Sequence, residues 1–426
     1  MSKLKIWLVQ PSEQLPIDPG VRRLRTRLLA EELASRGHEV TWWASCFNHL
    51  RKQWYFDRDT TFEPIKGVTI HALKGIGYSK NVSLRRVLDH RIITNKFKNQ
   101  SELAERPDII VTSFPPHNLA NAAVSYAADR HIPVAVDVRD KWPDNFVDVL
   151  PTRLKGIGRL VLQYEFYKRN QALTRAQAIY SMTEPILSWG LKCANRMRTN
   201  YYRVFYLGSY RESNTVVPEQ IQRLIAERFK GCMVVTFVGT FSTYHNPEAA
   251  IQAAKKLQSI PNLVFVFMGD GDLGPTLHKM AQGLENVIFT GWADSASIAA
   301  VLKQSHLGLC TSGKTSERNF LRNKGFSYLA EGVPLASVFD GELRDLINKH
   351  QFGFNFSSVE ELTEGVLRLN ENRGLLKGMA ERACTFFNEH CDAASIYRDY
   401  ADWVERLAKD PHEYNSKSTQ LKKVKL

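Results

Sequence analysis

The stretch Val264–Trp292, VFVFMGDGDLGPTLHKMAQGLENVIFTGW, decides the fold. It opens on an unbroken apolar run, Val264-Phe265-Val266-Phe267-Met268, the pattern of a strand covered on both faces in a parallel sheet. Gly269-Asp270-Gly271 predicts a tight turn, because glycine takes positive φ without steric cost. Leu273, Leu277, Met280 and Leu284 then recur at helical spacing, and Val287-Ile288-Phe289 begins a second strand ending at Gly291-Trp292. Such a strand–turn–helix–strand unit belongs to doubly wound α/β folds, where ligands sit beyond the carboxyl ends of the strands, the position of this turn.

Two motifs overlap on the turn. Gly269, Gly271 and Gly274 fit the G-x-G-x-x-G dinucleotide fingerprint. The next strand ends in Thr290-Gly291, however, and not in the acidic residue that would hold a ribose, which argues against a nicotinamide dinucleotide. Asp270 and Asp272 carry carboxylates suited to Mg²⁺ or Mn²⁺, but the flanking glycines favour a solvated acidic turn.

Composition bounds the rest. The chain has 426 residues, 43% hydrophobic and 24% charged, enough for two or three ordinary globular domains. No apolar run approaches the roughly 20 residues that span a bilayer, and the apolar stretch at the N-terminus is too short for a signal peptide. Six cysteines without a C-x-x-C pair point to a reduced, cytosolic compartment. The net charge of +13 calls for a negatively charged partner: nucleic acid, anionic lipid or a phosphorylated substrate. Nucleic-acid motifs are missing, so a membrane-facing or phosphate-bearing partner is favoured.

Working outward, residues 4–10 read as a buried strand, followed by a Pro-rich loop to Gly20 and a helix from Val21 to Arg36. Gly20 precedes that helix, whose free N-terminus, with Arg22 and Arg23 in its first turn, predicts an anion site or else a solvated basic face. Residues 46–100 look irregular, basic and aromatic. Strands follow at Asp108–Ser113, Pro133–Val138 and Ala178–Met182, with a helix at Asn118–Arg130 and another near 154–174. The second strand of these ends in Arg139-Asp140, on the ligand face, and His117 follows Pro115-Pro116 as a weaker candidate. A polar stretch at 211–218 marks a boundary, so that residues 1–208 form a first domain, completed by a C-terminal helix near 390–410. Residues 209–389 form a second, and 411–426 a basic tail. The second domain opens with strand Met233–Gly239, a loop Thr240–His245, and a helix at 247–257 capped by Asn246 with Pro247 in its first position. Later come strand 307–310, helix 324–331, strand 333–338, a further helix opened by Asp340-Gly341-Glu342, and a long final helix.

These segments resemble the family-4 glycosyltransferases of GT-B fold, above all the branch that builds bacterial surface polysaccharides. Val136–Asp144, VDVRDKWPD, is similar to E-V-R-D-L-W-P-E; Phe237–Ala254 to Y-A-G-x-x-G with its following E-A-A helix; Val264–Trp292 to the G-D-G-P unit. Asn323–Pro334, NKGFSYLAEGVP, resembles N-K-L-F-E-Y-L-A-A-G-x-P, and with Gly20–His38 the matches stand in order along most of the chain. The resemblance implies two Rossmann-like doubly wound domains facing a cleft. It also implies a nucleotide-sugar donor, a saccharide or lipid-diphosphate-linked acceptor, and transfer with retention, with no resident cofactor and no metal.

Residue roles follow from the same resemblance. The donor side takes Gly239, Thr240, His245, Gly269, Asp270, Asn323 and Ser327. Lys324 and Glu317 act there as catalytic groups, Lys324 neutralising the departing diphosphate at a helix start capped by Asn323. Gly20, Arg139 and Asp140 serve the acceptor and reacting centre, Arg139 standing where the family has an active-site histidine. The departures are specific. The family's phosphate-binding Arg and Lys fall on Thr240 and His245, and its paired glutamates on Asn319 and Ser327, with Glu317 two positions ahead of the first. They keep a non-catalytic GT-B scaffold in play, and a GT-B sugar-nucleotide epimerase is a separate alternative.

Overall fold

The computed structural model describes residues 3–17, 23–80, 83–199, 201–211, 216–242, 245–313 and 323–409. It divides into two compact units, one holding the chain up to Tyr206 and again from Tyr397, the other Leu207–Ile396.

In the first unit, β1 (Lys5–Val9), β2 (Glu39–Ser45), the short hairpin β3 (Phe47–Asn48) and β4 (Gln53–Trp54), β5 (Thr60–Ile65) and β6 (Val68–Leu73) precede β7 (Ile109–Phe114), β8 (Val134–Val138), β9 (Ala178–Ser181) and β10 (Arg203–Val204). Eight of them form one sheet in the order β10-β9-β8-β7-β1-β2-β6-β5, parallel except for the β5–β6 edge pair. Every residue of β7 and β8 is buried, as their continuous apolar runs require of strands covered on both faces. The covering helices are α1 (Arg25–Ser35), α2 (Leu84–Ser101) and α3 (His117–Asp129), then α4 (Asp144–Asp148), α5 (Lys155–Val161), α6 (Gln163–Arg175) and α7 (Glu184–Cys193).

The second unit carries β11 (Met233–Val238), β12 (Leu263–Met268), β13 (Val287–Gly291), β14 (Leu307–Cys310), β15 (Leu335–Ser337) and β16 (Gly353–Asn355). Its wholly parallel sheet has the order β13-β12-β11-β14-β15-β16, so the winding reverses between β11 and β14. Around it lie α8 (Glu219–Arg228), α9 (Glu248–Lys256), α10 (Gly274–Met280), α11 (Ser295–Lys303), α12 (Asn323–Ala330), α13 (Glu342–His350), α14 (Val359–Glu371) and α15 (Arg373–His390). One face of the sheet packs Phe237, Phe265 and Phe267 against Ala250, Ile251, Leu362 and Val366. The final helix, α16 (Ala393–Lys409), passes from the second unit into the first, where Tyr400 stacks on Phe205 at 4.5 Å.

Several local expectations are corrected. Helix α1 starts at Arg25, four residues later than the apolar pattern predicts, because the Glu13 carboxylate caps the Thr26 and Arg27 N–H groups at 2.9–3.0 Å. Residues 46–100 are regular: the edge hairpins use Trp54 and Phe62, and Ser83 caps the 18-residue α2. The helix expected near 154–174 is broken at Leu162 into α5 and α6. In α9 the first helical residue is Glu248, not Pro247, and the Asn246 side chain accepts from its N–H at 2.9 Å. The strand predicted over 333–338 shortens to β15.

Candidate functional site

The reversal between β11 and β14 places the ligand crevice of the second unit over Gly239–Phe241 and Thr311–Ser312. The Gly269 turn, from which the fold is legible, sits one strand to the side. Beyond the strand ends, the two loops continue to bond as a ladder. Gly239 N–H donates to Met268 O (2.8 Å), Phe241 N–H to Asp270 O (2.9 Å) and Leu273 N–H to Phe241 O (3.1 Å). Gly269 and Gly271 have φ of +146° and +153°. A Cβ on Gly269 would stand 2.0 Å from Gly239 O, and one on Gly271 2.5 Å from Phe241 O. These glycines are therefore imposed by loop-on-loop packing, whatever binds above them. Phe241 is buried beneath, while Thr240 and Asp270 are exposed, Asp270 Oδ1 accepting from Gly271 N–H at 2.7 Å.

Helix α12 flanks the same crevice. Its described part runs from Asn323, which is already helical and so not a cap ahead of Lys324. The side chains of Asn323 and Lys324 lie outside the described residues, as does all of Lys314, Glu317, Arg318, Asn319 and Arg322. Ser327 is half-buried, and so is His245, whose N–H donates to Ser242 O at 3.0 Å. Sequence reasoning missed Tyr328. Its buried hydroxyl accepts from Val238 N–H at 2.8 Å and lies 3.3 Å from Leu309 O, its acceptor, tying α12 to the ends of both switch strands. Burial pushes its pKa well above the ordinary value, so the hydroxyl keeps its proton. Gly308 makes room for the ring, since a Cβ there would come 2.5 Å from it. The usable signal is a tyrosine on the buried face of a helix, which needs a partner for its O–H.

In the first unit the corresponding strand ends are occupied by the protein's own charges. Arg25 and Asp137, with side chains 2% and 1% exposed, pair at 2.9 Å. Arg139 Nε also donates to Asp137 (2.8 Å), its Nη1 to Glu13 (3.2 Å) and its Nη2 to the Thr26 hydroxyl (2.9 Å). Arg25 further donates to Phe205 O and lies 5.4 Å from the ring centroids of both Tyr180 and Tyr400. Burial opposes the charge on Arg25, but Asp137 beside it prevails and holds its pKa above the ordinary value. Arg25 Nη2 and Asp137 Oδ1 remain buried without a protein partner.

Three sequence expectations fall at or beside this network. The anion at the N-terminus of α1 is the Glu13 carboxylate, and Gly20 and Arg22 lie outside the described residues. Arg139 is held by three interior partners with one edge open to solvent, its side chain 21% exposed. Asp140 folds onto its own loop, accepting from Lys141 N–H (2.8 Å) and the Asn145 amide. His117 opens α3 and pairs with Glu165 of α6, which holds the glutamate below the usual carboxylate range. Among the described residues no three His, Cys, Asp or Glu side chains gather as a metal site would require. A groove of about 940 Å³ in the second unit lies at the opposite, amino ends of the strands, between Phe229–Cys232, Gln304–His306 and Arg373–Lys377. The strand-end rule puts the ligand elsewhere.

Two doubly wound parallel sheets, each with its winding reversed beside β1 or β11, define a protein of paired Rossmann-like domains. Residues 23–188 match the glycosyl transferase 4-like domain and residues 220–385 match glycosyl transferases group 1. The chain belongs to the GT-B glycosyltransferases, as the resemblance of its motifs implies. It is 26% identical over 193 residues to an uncharacterized glycosyltransferase of Methanocaldococcus jannaschii, a match spanning 43% of this chain and 47% of that relative. Among solved structures, HepE of Anabaena in complex with UDP superposes with a TM-score of 0.63 at 15% identity, covering 95% of this chain and 100% of that one. Sucrose-phosphate synthase of Thermosynechococcus elongatus gives 0.66 at 12%, covering 95% and 99%. WaaG, a glycosyltransferase involved in lipopolysaccharide biosynthesis, gives 0.59 at 14%, covering 93% and 99%. At these identities the structures speak for the fold.

Proposed function

We propose that this chain is a family-4 enzyme that transfers a hexosyl group from a nucleotide sugar to a saccharide acceptor carried on a lipid diphosphate, in the building of a surface polysaccharide. The observation that supports it most is the crevice at the β11–β14 reversal, floored by two interlocked glycine loops and walled by the start of α12. Helix α12, described from Asn323, would offer the N–H groups of its first turn to a diphosphate over the crevice. The relatives of this fold include proteins named in complex with UDP and UDP-glucose, and WaaG is named for lipopolysaccharide biosynthesis.

In this reading Lys324 and the N-terminus of α12 stabilise the leaving diphosphate, with Glu317 and Ser327 beside the sugar and Thr240, His245 and Asp270 at the rim. Positive charge and backbone N–H groups supply what a metal would otherwise supply, and transfer proceeds with retention. Arg139, held rigidly by Asp137 and Glu13, presents its open edge to the acceptor, and Asp140 fixes the loop behind it. Gly20 is assigned to the acceptor side by the resemblance alone.

Thermal unfolding with UDP, GDP, dTDP and ADP tests the reading. A nucleotide that binds only the folded protein stabilises it by about 2.7 kcal/mol at a hundred times its Kd. One nucleotide is expected to raise Tm, and Lys324→Ala to abolish the rise. No shift with any of the four, with or without acceptor, would favour a non-catalytic scaffold, for which the departures at Thr240 and His245 argue. Turnover of nucleotide sugar without acceptor, with no free nucleotide released, would favour the epimerase.

A further inference from the structure

The segment between α4 and α6 is poorly covered by the rest of the first unit. Helix α5 has no buried residue. Val149 is 81% exposed, Leu160 66% and Val161 74%, and Ile157, Tyr164 and Tyr167 are exposed with them. Polar chains do not ordinarily leave so many large apolar groups together in water, and a contiguous patch of this kind marks a contact surface. From Val149 to Tyr164 the sequence holds Arg153, Lys155 and Arg159 and no Asp or Glu. Arg153 and Arg159 are exposed.

The patch has a definite place in the fold. Glu165, on the first turn of α6, pairs with His117 at the start of α3, directly beyond the carboxyl end of β7. On the other side of α3, the first turn of α2 exposes Leu84 (88%), Val87 and Leu88, and Arg86 of that turn lies over the Trp142 ring at 4.7 Å. Apolar groups and cations thus border the ligand end of this sheet. No helix among the described residues is long and apolar enough to cross a membrane.

We infer that α5 and its flanks, from Val149 to Tyr164, dock the protein on an anionic lipid surface, apolar side chains entering the headgroup boundary and Arg153, Lys155 and Arg159 meeting lipid phosphates. The charge pattern selects this occupant: a bilayer of anionic lipid matches a run of exposed apolar groups whose only charged residues between Val149 and Tyr164 are cations. The inference deepens the lipid-linked acceptor reading and rests on it, since docking here would present the acceptor at the carboxyl ends of the first unit's strands.

Sedimentation of the full chain with phosphatidylcholine vesicles, with and without phosphatidylglycerol, is the test. The wild type is expected to sediment with the anionic vesicles at low salt and to dissociate as salt rises. Arg153→Ser with Arg159→Ser should weaken binding about 25-fold, from roughly fivefold per cation. Ile157→Ser, Leu160→Ser and Val161→Ser together should weaken it about tenfold or more. These side chains are exposed, so Tm should not move. Unchanged vesicle binding in either variant overturns the proposal, as does failure of the wild type to bind. A wild-type dimer that the serine variant converts to monomer, with vesicle binding intact, would overturn it in favour of contact between copies. The nucleotide-induced Tm rise, measured on the same variants, separates the two readings: retained with vesicle binding lost, it leaves the donor site standing alone.

Discussion

The two units end their strands in opposite ways. In the first, the strand ends are organised by ionised side chains taken out of water: Glu13, Arg25, Asp137 and Arg139, two acids and two bases within a few bonds of one another. In the second, the equivalent place is organised by main chain, with Gly269 against Gly239, Gly271 against Phe241, and the Tyr328 hydroxyl closing the strand ends onto α12. Buried charges need their partners in place, because their desolvation is repaid only by good geometry. Backbone contacts need only the absence of a Cβ. The first arrangement makes a rigid, nearly filled face with one open guanidinium edge. The second leaves a crevice whose floor is hydrogen-bonded internally and whose rim is free to meet a ligand.

The comparison can be broken most forcefully in the second unit. Gly269→Val would drive a branched side chain into Gly239 O at a backbone φ of +146°. A loss of about 4 kcal/mol or more is expected in urea unfolding, or outright failure to fold the unit. A tolerated valine would show that the loop contact is not obligatory.

Nearly as large an effect is expected from Asp137→Ala, which leaves Arg25 buried without its acid and should lower stability by about 3–5 kcal/mol. The double change Arg25→Met with Asp137→Leu should restore much of that, because it removes both charges. If the double variant is no better than the single, the network is not held by charge pairing. The mildest change is Tyr328→Phe, which keeps the ring and removes the hydroxyl bonded to Val238 N–H and Leu309 O. A loss of about 1–2 kcal/mol is expected, together with a weaker nucleotide-induced Tm rise if the hydroxyl positions the crevice. Stability lost with the Tm rise unchanged would limit Tyr328 to a structural part.

Much of the fold was legible in the sequence because the signals were local. The run Val264–Met268 is buried throughout as β12, and Ile109–Phe114 is likewise entirely interior, since a parallel strand between two helical layers has no polar face. The glycines at 269 and 271 also read correctly as turn residues. The helix at 154–174 was misread as continuous because its apolar residues do recur at helical spacing. Ile157, Leu160 and Val161 nevertheless face solvent, and no pattern of residues tells an apolar face that meets a core from one that does not.

The sequence by itself determined that this chain makes parallel strands alternating with helices in two sets, and which residue types stand at the strand ends. Only the tertiary structure decided what those residues do. Glu13 caps a helix twelve residues ahead, Arg139 reaches Glu13 across 126 positions, and Tyr328 bonds a strand 90 positions earlier. The crevice itself lies at β11 and β14 because those strands pair with Thr236 opposite Gly308, a non-adjacent pairing that no single stretch records. The physical reason is common to all four. A hydrogen bond or ion pair depends on distance in space, and the fold sets that distance through pairings far apart in the chain.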